Sequence, residues 1–132
     1  MTPKEIVRSY YESDLVHDQG VVDTYLHKDC ILHWHNSKGY SRLNFNQIKN
    51  LYDKINSAYE TTRVQISHLV AEGDTVTTRF TFFVTPIETP DEEQPLAHFI
   101  TVWELKDDQL YKGYEISQKA DSSLASLASF QI

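Results

Sequence analysis

Apolar residues recur with a helical period before Tyr59 and with an alternating period between Thr61 and Gln118. Ile6, Val7, Tyr10 and Tyr11 form the first helical stripe, and Asp14 and His17 fall on or near the same face. Thr2, Pro3 and Glu5 suit the start of that helix, and Asp18-Gln19-Gly20 suits its end. A second short helix follows, with Val21, Val22, Tyr25 and Leu26 facing inward, closed by His27-Lys28-Asp29. Cys30 to Asn36 then alternates as a strand, with Leu32, Trp34 and Asn36 on one face and Ile31, His33 and His35 on the other. Asn44 caps a third helix that runs to about Tyr59, with Phe45, Ile48, Leu51, Tyr52 and Ile55 as its buried stripe.

Four long strands are predicted next. Val64, Ile66, His68 and Val70 alternate with Arg63, Gln65, Ser67 and Leu69, and Glu72-Gly73-Asp74 forms a hairpin turn. Thr75 to about Ile87, Leu96 to Leu105 and Leu110 to Gln118 complete the set, with Asp107-Asp108-Gln109 as a second turn. Glu88 to Pro95, with two prolines and the acidic run at Asp91, reads as an exposed loop. Leu124, Leu127 and Phe130 have helical spacing, so the segment 120–132 is a packing helix or a tail. The expected fold class is α+β: a curved antiparallel sheet wrapped around three N-terminal-half helices, a cone-shaped barrel in one domain spanning 1–132. Several strands carry bulky apolar groups on both faces, as in Phe80, Phe82 and Phe83, which implies cover on both sides. A homodimer through the outer sheet face meets that need.

Composition narrows the function classes. A net charge of −7 without a basic cluster disfavours nucleic acid. Cys30 is the only cysteine, so an intrachain disulfide and a cysteine-based zinc site are excluded. No stretch approaches the ~18 apolar residues of a membrane span, and the start lacks a signal-peptide core, so no membrane association and a cytoplasmic location are expected. No phosphate-binding glycine loop, nucleophile elbow or His-Glu-x-x-His sequence is present, and no cofactor is expected.

The order and spacing of Tyr10-Tyr11, Asp18-Gln19-Gly20, Ile31-Leu32-His33-Trp34-His35, the hairpin Ala71 to Val76 and the segment Trp103 to Ile116 resemble the SnoaL-like group of the nuclear transport factor 2-like superfamily. The resemblance covers Lys4 to Lys119. It implies a cone-shaped fold with a pocket at its wide end, and commonly a homodimer. Ketosteroid isomerases in that superfamily pair an Asp base with a Tyr and a protonated acid. By resemblance, Tyr10 stands at the catalytic Tyr, Trp34 replaces the base, and Thr101 replaces the acid. Steroid isomerisation by that mechanism is therefore not expected.

Tyr10 and Asp14 remain the candidate catalytic pair, as hydrogen-bond donor and as acid or base; their structural alternative is a core tyrosine and a backbone-bonded carboxylate. Trp34 stacks on a ligand or fills the cone. Phe99, Thr101, Trp103 and Tyr114 are expected to face inward as a mainly apolar lining. His33 and His35 suit two metal ligands or an outward polar pair, and no metal site is assigned. The expected ligand is a small, largely apolar organic molecule, with isomerase, cyclase or dehydratase chemistry as the enzymatic form. The alternative is a non-catalytic dimeric module with a nearly filled cavity.

Overall fold

A computed structural model describes residues 1–131. Its elements run α1 (Pro3–Glu12), α2 (Gln19–Tyr25), β1 (Leu26–Asn36), β2 (Gly39–Asn44), α3 (Phe45–Ala58), β3 (Tyr59–Glu72), β4 (Thr75–Pro86), β5 (Gln94–Lys106), β6 (Gln109–Lys119) and α4 (Leu124–Ala128). One curved, unclosed sheet takes the order β2-β1-β6-β5-β4-β3, so its free edges are β2 and β3. The fold is α+β, as expected. The β1–β6 junction is parallel, which corrects the fully antiparallel order. The helices α1, α2 and α3 pack on the inner face, where Val7, Tyr10, Leu26, Val76 and Leu110 are almost wholly buried.

Local hydrogen bonding explains where the elements depart from the sequence pattern. The first helix stops at Glu12, six residues before the expected break. There the Ser13 hydroxyl donates to the Tyr10 carbonyl at 2.5 Å, competing with the next helical turn. Asp18 does not end this helix. Its carboxylate accepts from the Gly20 backbone at 3.0 Å and so starts α2. Strand β1 begins at Leu26, which places His27 on a strand and not at a helix end. Strand β2 is an addition: Gly39, at φ 117°, turns the chain back so that Tyr40 pairs with His35. The third helix is as expected, with a reciprocal Asn44–Gln47 capping box.

Two register shifts decide which side chains face inward. In β3 the ladder slips between Ile66 and His68, so Leu69 is buried while Val70 is exposed. In β6 the ladder steps between the pairs Leu105–Leu110 and Glu104–Lys112, which leaves Tyr111 unmatched. Beyond it, Gly113, Glu115 and Ser117 face inward, and Lys112, Tyr114 and Ile116 face outward.

The tail is a packed segment on the outer face. Phe130 is buried beneath the Arg79 guanidinium, 3.6 Å from its ring, and stacks on His98 at 4.3 Å. Arg79 also donates to the Ser129 carbonyl at 3.0 Å. Of the three residues at helical spacing, Phe130 is the anchor and Leu124 is exposed. Ile132 lies outside the described residues.

Candidate functional site

A row of side chains crosses the middle of the inner face, each directly opposite the next: Thr78 on β4, Thr101 on β5, Glu115 on β6 and Trp34 on β1. Strand alternation puts them on one side, and α1 and α3 lie against that side. The Thr101 hydroxyl donates to Glu115 Oε1 at 2.7 Å. Trp34 Nε1 donates to the Ser117 hydroxyl at 2.8 Å. Thr78 Oγ1 is the one buried side-chain polar atom without a partner among the described residues.

Three phenols face this row. The Tyr10 hydroxyl from α1 and the Tyr52 hydroxyl from α3 share a hydrogen bond. Tyr11 accepts from Trp103 Nε1 at 2.9 Å. Burial pushes the Tyr10 and Tyr11 phenols well above the ordinary tyrosine range; Tyr52 for Tyr10, and Glu115 for Tyr11, push them further. Burial raises Tyr52 as well, and its bond with Tyr10 offsets part of the rise. All three therefore stay protonated near neutral pH, and one of the Tyr10 and Tyr52 hydroxyls donates to the other.

Glu115 is the group with the most useful chemistry. It keeps some surface open to water, as do Trp34, Tyr52 and Phe99 beside it. Yet the surrounding protein desolvates its carboxyl enough to push the pKa up to about 7, with the Thr101 bond acting against the rise. A carboxyl poised at that value can take or give a proton under ordinary conditions.

The positions of the sequence candidates follow from the same geometry. Tyr10 is in the interior, only 1% exposed. Asp14 is not beside it, because α1 has already ended. Its carboxylate is exposed and contacts His17 Nδ1 at 3.1 Å. Both line an open cleft of about 580 Å³ between the end of α1 and the start of β3, with Tyr11 and Val64 among its walls. Thr101 and Trp103 are buried on the inner face, and Phe99 is partly buried there, stacked on Phe80 at 4.9 Å. Tyr114 is on the other face. The step at Tyr111 turns it outward, where it is 43% exposed and stacks on His33 at 5.3 Å. Cys30 is buried, and desolvation pushes its thiol up to about 11, which suits a core residue.

The histidine pair faces outward. His33 Nδ1 bonds the Tyr40 hydroxyl at 2.7 Å, and His35 tilts against the same ring. Among the described residues, no group of three His, Cys, Asp or Glu side chains is placed to hold a metal. No helix among them is long and apolar enough to cross a membrane.

Glu115 and Tyr52 were hidden in the sequence for different reasons. Tyr52 reads as one more residue of an apolar helical stripe. Glu115 sits between Tyr114 and Ile116, which draw the eye to the wrong face.

Comparison with solved structures shows the same fold at low identity. Wild-type IdmH of Streptomyces antibioticus, a proposed polyketide cyclase, superposes with a TM-score of 0.73 at 16% identity, covering 97% of this chain and 99% of that one. An LEH-like epoxide hydrolase of M. tuberculosis gives 0.68 at 16% identity, covering 97% and 87%. A hypothetical protein of Catenulispora acidiphila with a ketosteroid isomerase-like fold, in complex with trimethylamine, gives 0.61 at 16% identity, covering 98% and 92%. No curated protein sequence matches. The family model for the SnoaL-like domain matches residues 7–112, and the chain belongs to that family.

Proposed function

We propose that the inner face binds a small, largely apolar organic molecule and that Glu115 exchanges a proton with it. The observation that carries this reading is a carboxyl poised near pH 7, beside protonated phenols and partly water-accessible aromatic walls. Trp34 and Phe99 supply flat apolar surface. The Tyr10–Tyr52 pair has one hydroxyl proton not used between the two rings, and it is available to a developing oxyanion. Polyketide cyclisation and epoxide opening, named for two proteins of the same fold, both require proton movement on such molecules. Neither substrate carries over at this identity.

A simple ketone tests the chemistry. In deuterium oxide, the Glu115 carboxylate takes a proton from the carbon beside the carbonyl of 2-tetralone, and the enolate takes back a deuteron. Proton NMR is expected to show saturable exchange that rises through about pH 7. Glu115→Gln is expected to slow it tenfold or more, in line with general acid–base contributions. Exchange no faster than buffer, with no saturable binding, would remove the reading.

The outer face favours association with a second copy of the chain. The tail covers the region of Arg79 and His98, while Ile100, Tyr114 and Ile116 stay exposed, Ile116 by 68%. Ile100 and Ile116 are direct cross-strand neighbours, so the apolar area is continuous. Light scattering at micromolar concentration is expected to give a dimer, and Ile116→Lys a monomer. A monomeric wild type would rule out this interface.

A further inference from the structure

Glu115 is an acid with no base beside it. Carboxylates taken out of water are ordinarily paired with a cation. Among the described residues, no Lys, Arg or His forms an ion pair with Glu115, and none contributes to its raised pKa. Thr101 occupies Oε1, and no side chain holds Oε2. What surrounds the carboxyl instead is aromatic. Trp34 is its direct neighbour on β1. The bond from Trp34 Nε1 to Ser117, two residues further along the same face of β6, holds the indole beside the carboxyl. Phe99 stands on β5 opposite Ser117, diagonally across from Glu115. Tyr10 and Tyr52, joined to each other, close the site from α1 and α3, and the Glu115 charge helps to raise both phenols.

We propose that this site takes a small apolar amine in its charged form, with the ammonium at Glu115 Oε2 and the carbon skeleton among Trp34, Tyr52 and Phe99. The inference rests on the proton-exchange reading of Glu115 and names the class of molecule for it. An ammonium supplies the cation that the carboxylate lacks, and aromatic rings attract the same charge. The net charge of −7 draws cations toward the chain and repels anions. The proton balance is closed. A neutral amine that meets the protonated carboxyl takes its proton on the nitrogen lone pair, leaving carboxylate and ammonium. An amine that enters already charged displaces the carboxyl proton to water. The other titratable groups facing Glu115 are Tyr10 and Tyr11 from α1 and Tyr52 from α3, all held protonated. Strands β1 and β5 present Trp34 and Thr101, which do not titrate. The pH dependence of amine binding therefore belongs to Glu115.

Three probes share one ring system and differ in charge: 2-aminotetralin, 2-tetralone and tetralin-2-carboxylate. Isothermal titration calorimetry at pH 8, where Glu115 is ionised, is expected to show the amine binding about tenfold tighter than the ketone, and the carboxylate weakest. The amine stays charged between pH 8 and pH 5. Its affinity should hold above about pH 7 and then fall, approaching roughly tenfold per pH unit, while that of the ketone should not fall. Glu115→Gln is expected to remove both the advantage of the amine and its pH dependence. Carbon-13 NMR of the Glu115 carboxyl, assigned by the same variant, should show the titration moving downward when the amine is saturating. A ketone or carboxylate that binds as tightly as the amine at pH 8 overturns the ammonium assignment and leaves the proton-exchange reading standing. An amine advantage that survives Glu115→Gln overturns the assignment as well. Failure of all three probes to bind overturns the reading on which the assignment rests.

Discussion

Replacing Glu115 by glutamine is expected to stabilise the protein at alkaline pH while leaving it nearly unchanged at acid pH. The carboxyl is raised from its ordinary 4.5 to about 7, so the folded state holds this proton more tightly than the unfolded state does. The favourable contribution is complete below the unfolded value, declines from there, and is lost as pH rises through the folded value. At 1.36 kcal/mol per pH unit, the loss amounts to roughly 3 kcal/mol. Glutamine stays neutral and can still accept from Thr101, so the variant escapes the loss. Thermal melts at pH 4.5 and pH 8.5 check this. The gap between variant and wild type should widen with pH, by on the order of 10 °C at the alkaline end for a chain of this size. A gap that does not change with pH would mean the carboxyl is well solvated. The same variant cannot carry a proton, so gained stability and lost exchange activity should appear together.

Adding one methyl group at Gly113 is expected to be nearly as disruptive as losing a large core side chain. Gly113 lies opposite Trp103 on one side and Leu32 on the other. A Cβ there would sit 2.7 Å from Leu32 Cδ1 and 2.8 Å from two atoms of the Trp103 indole. Backbone conformation is not the obstacle, because Gly113 is ordinary extended strand. The obstacle is space, and Trp103 is 2% exposed with nowhere to withdraw. Overpacking of this kind costs about 1–3 kcal/mol, and the upper end is expected for a rigid ring. Moving the indole also breaks its bond to Tyr11. Urea denaturation of Gly113→Ala should show the lowered midpoint, and tryptophan fluorescence should show the displaced ring. An unchanged midpoint would mean that the β5–β6 register differs from the one described.

These two residues mark the boundary of what the sequence reveals. Helix existence and inner stripes were legible, because periodicity survives local detail: Ile6, Val7, Tyr10, Tyr11 and Ile48 are all buried. The alternation of β5 was legible too, and Thr101 and Trp103 face inward. Strand β6 was not. Counting back from the Asp107–Asp108 turn without a slip would set Tyr114 opposite Thr101 and aim it inward. The unmatched Tyr111 moves Glu115 into that place. A single extra residue exchanges the two faces, and no local composition announces it. Asp14 failed for a similar local reason. A serine hydroxyl ended the helix at Glu12, two residues before the carboxylate could share its face.

The parallel junction between β1 and β6 has a consequence for how the chain comes together. Both β1 and its hairpin partner β2 are made early, yet the other edge of β1 finds its mate only in the last strand. During synthesis that hairpin must wait, one side unpaired, while three further strands emerge. Such long-range closure makes for slow, late-committing assembly and a spell of vulnerability to wrong pairing. The polar row that ends at Trp34 is assembled in the same final step, so the site cannot precede the completed sheet.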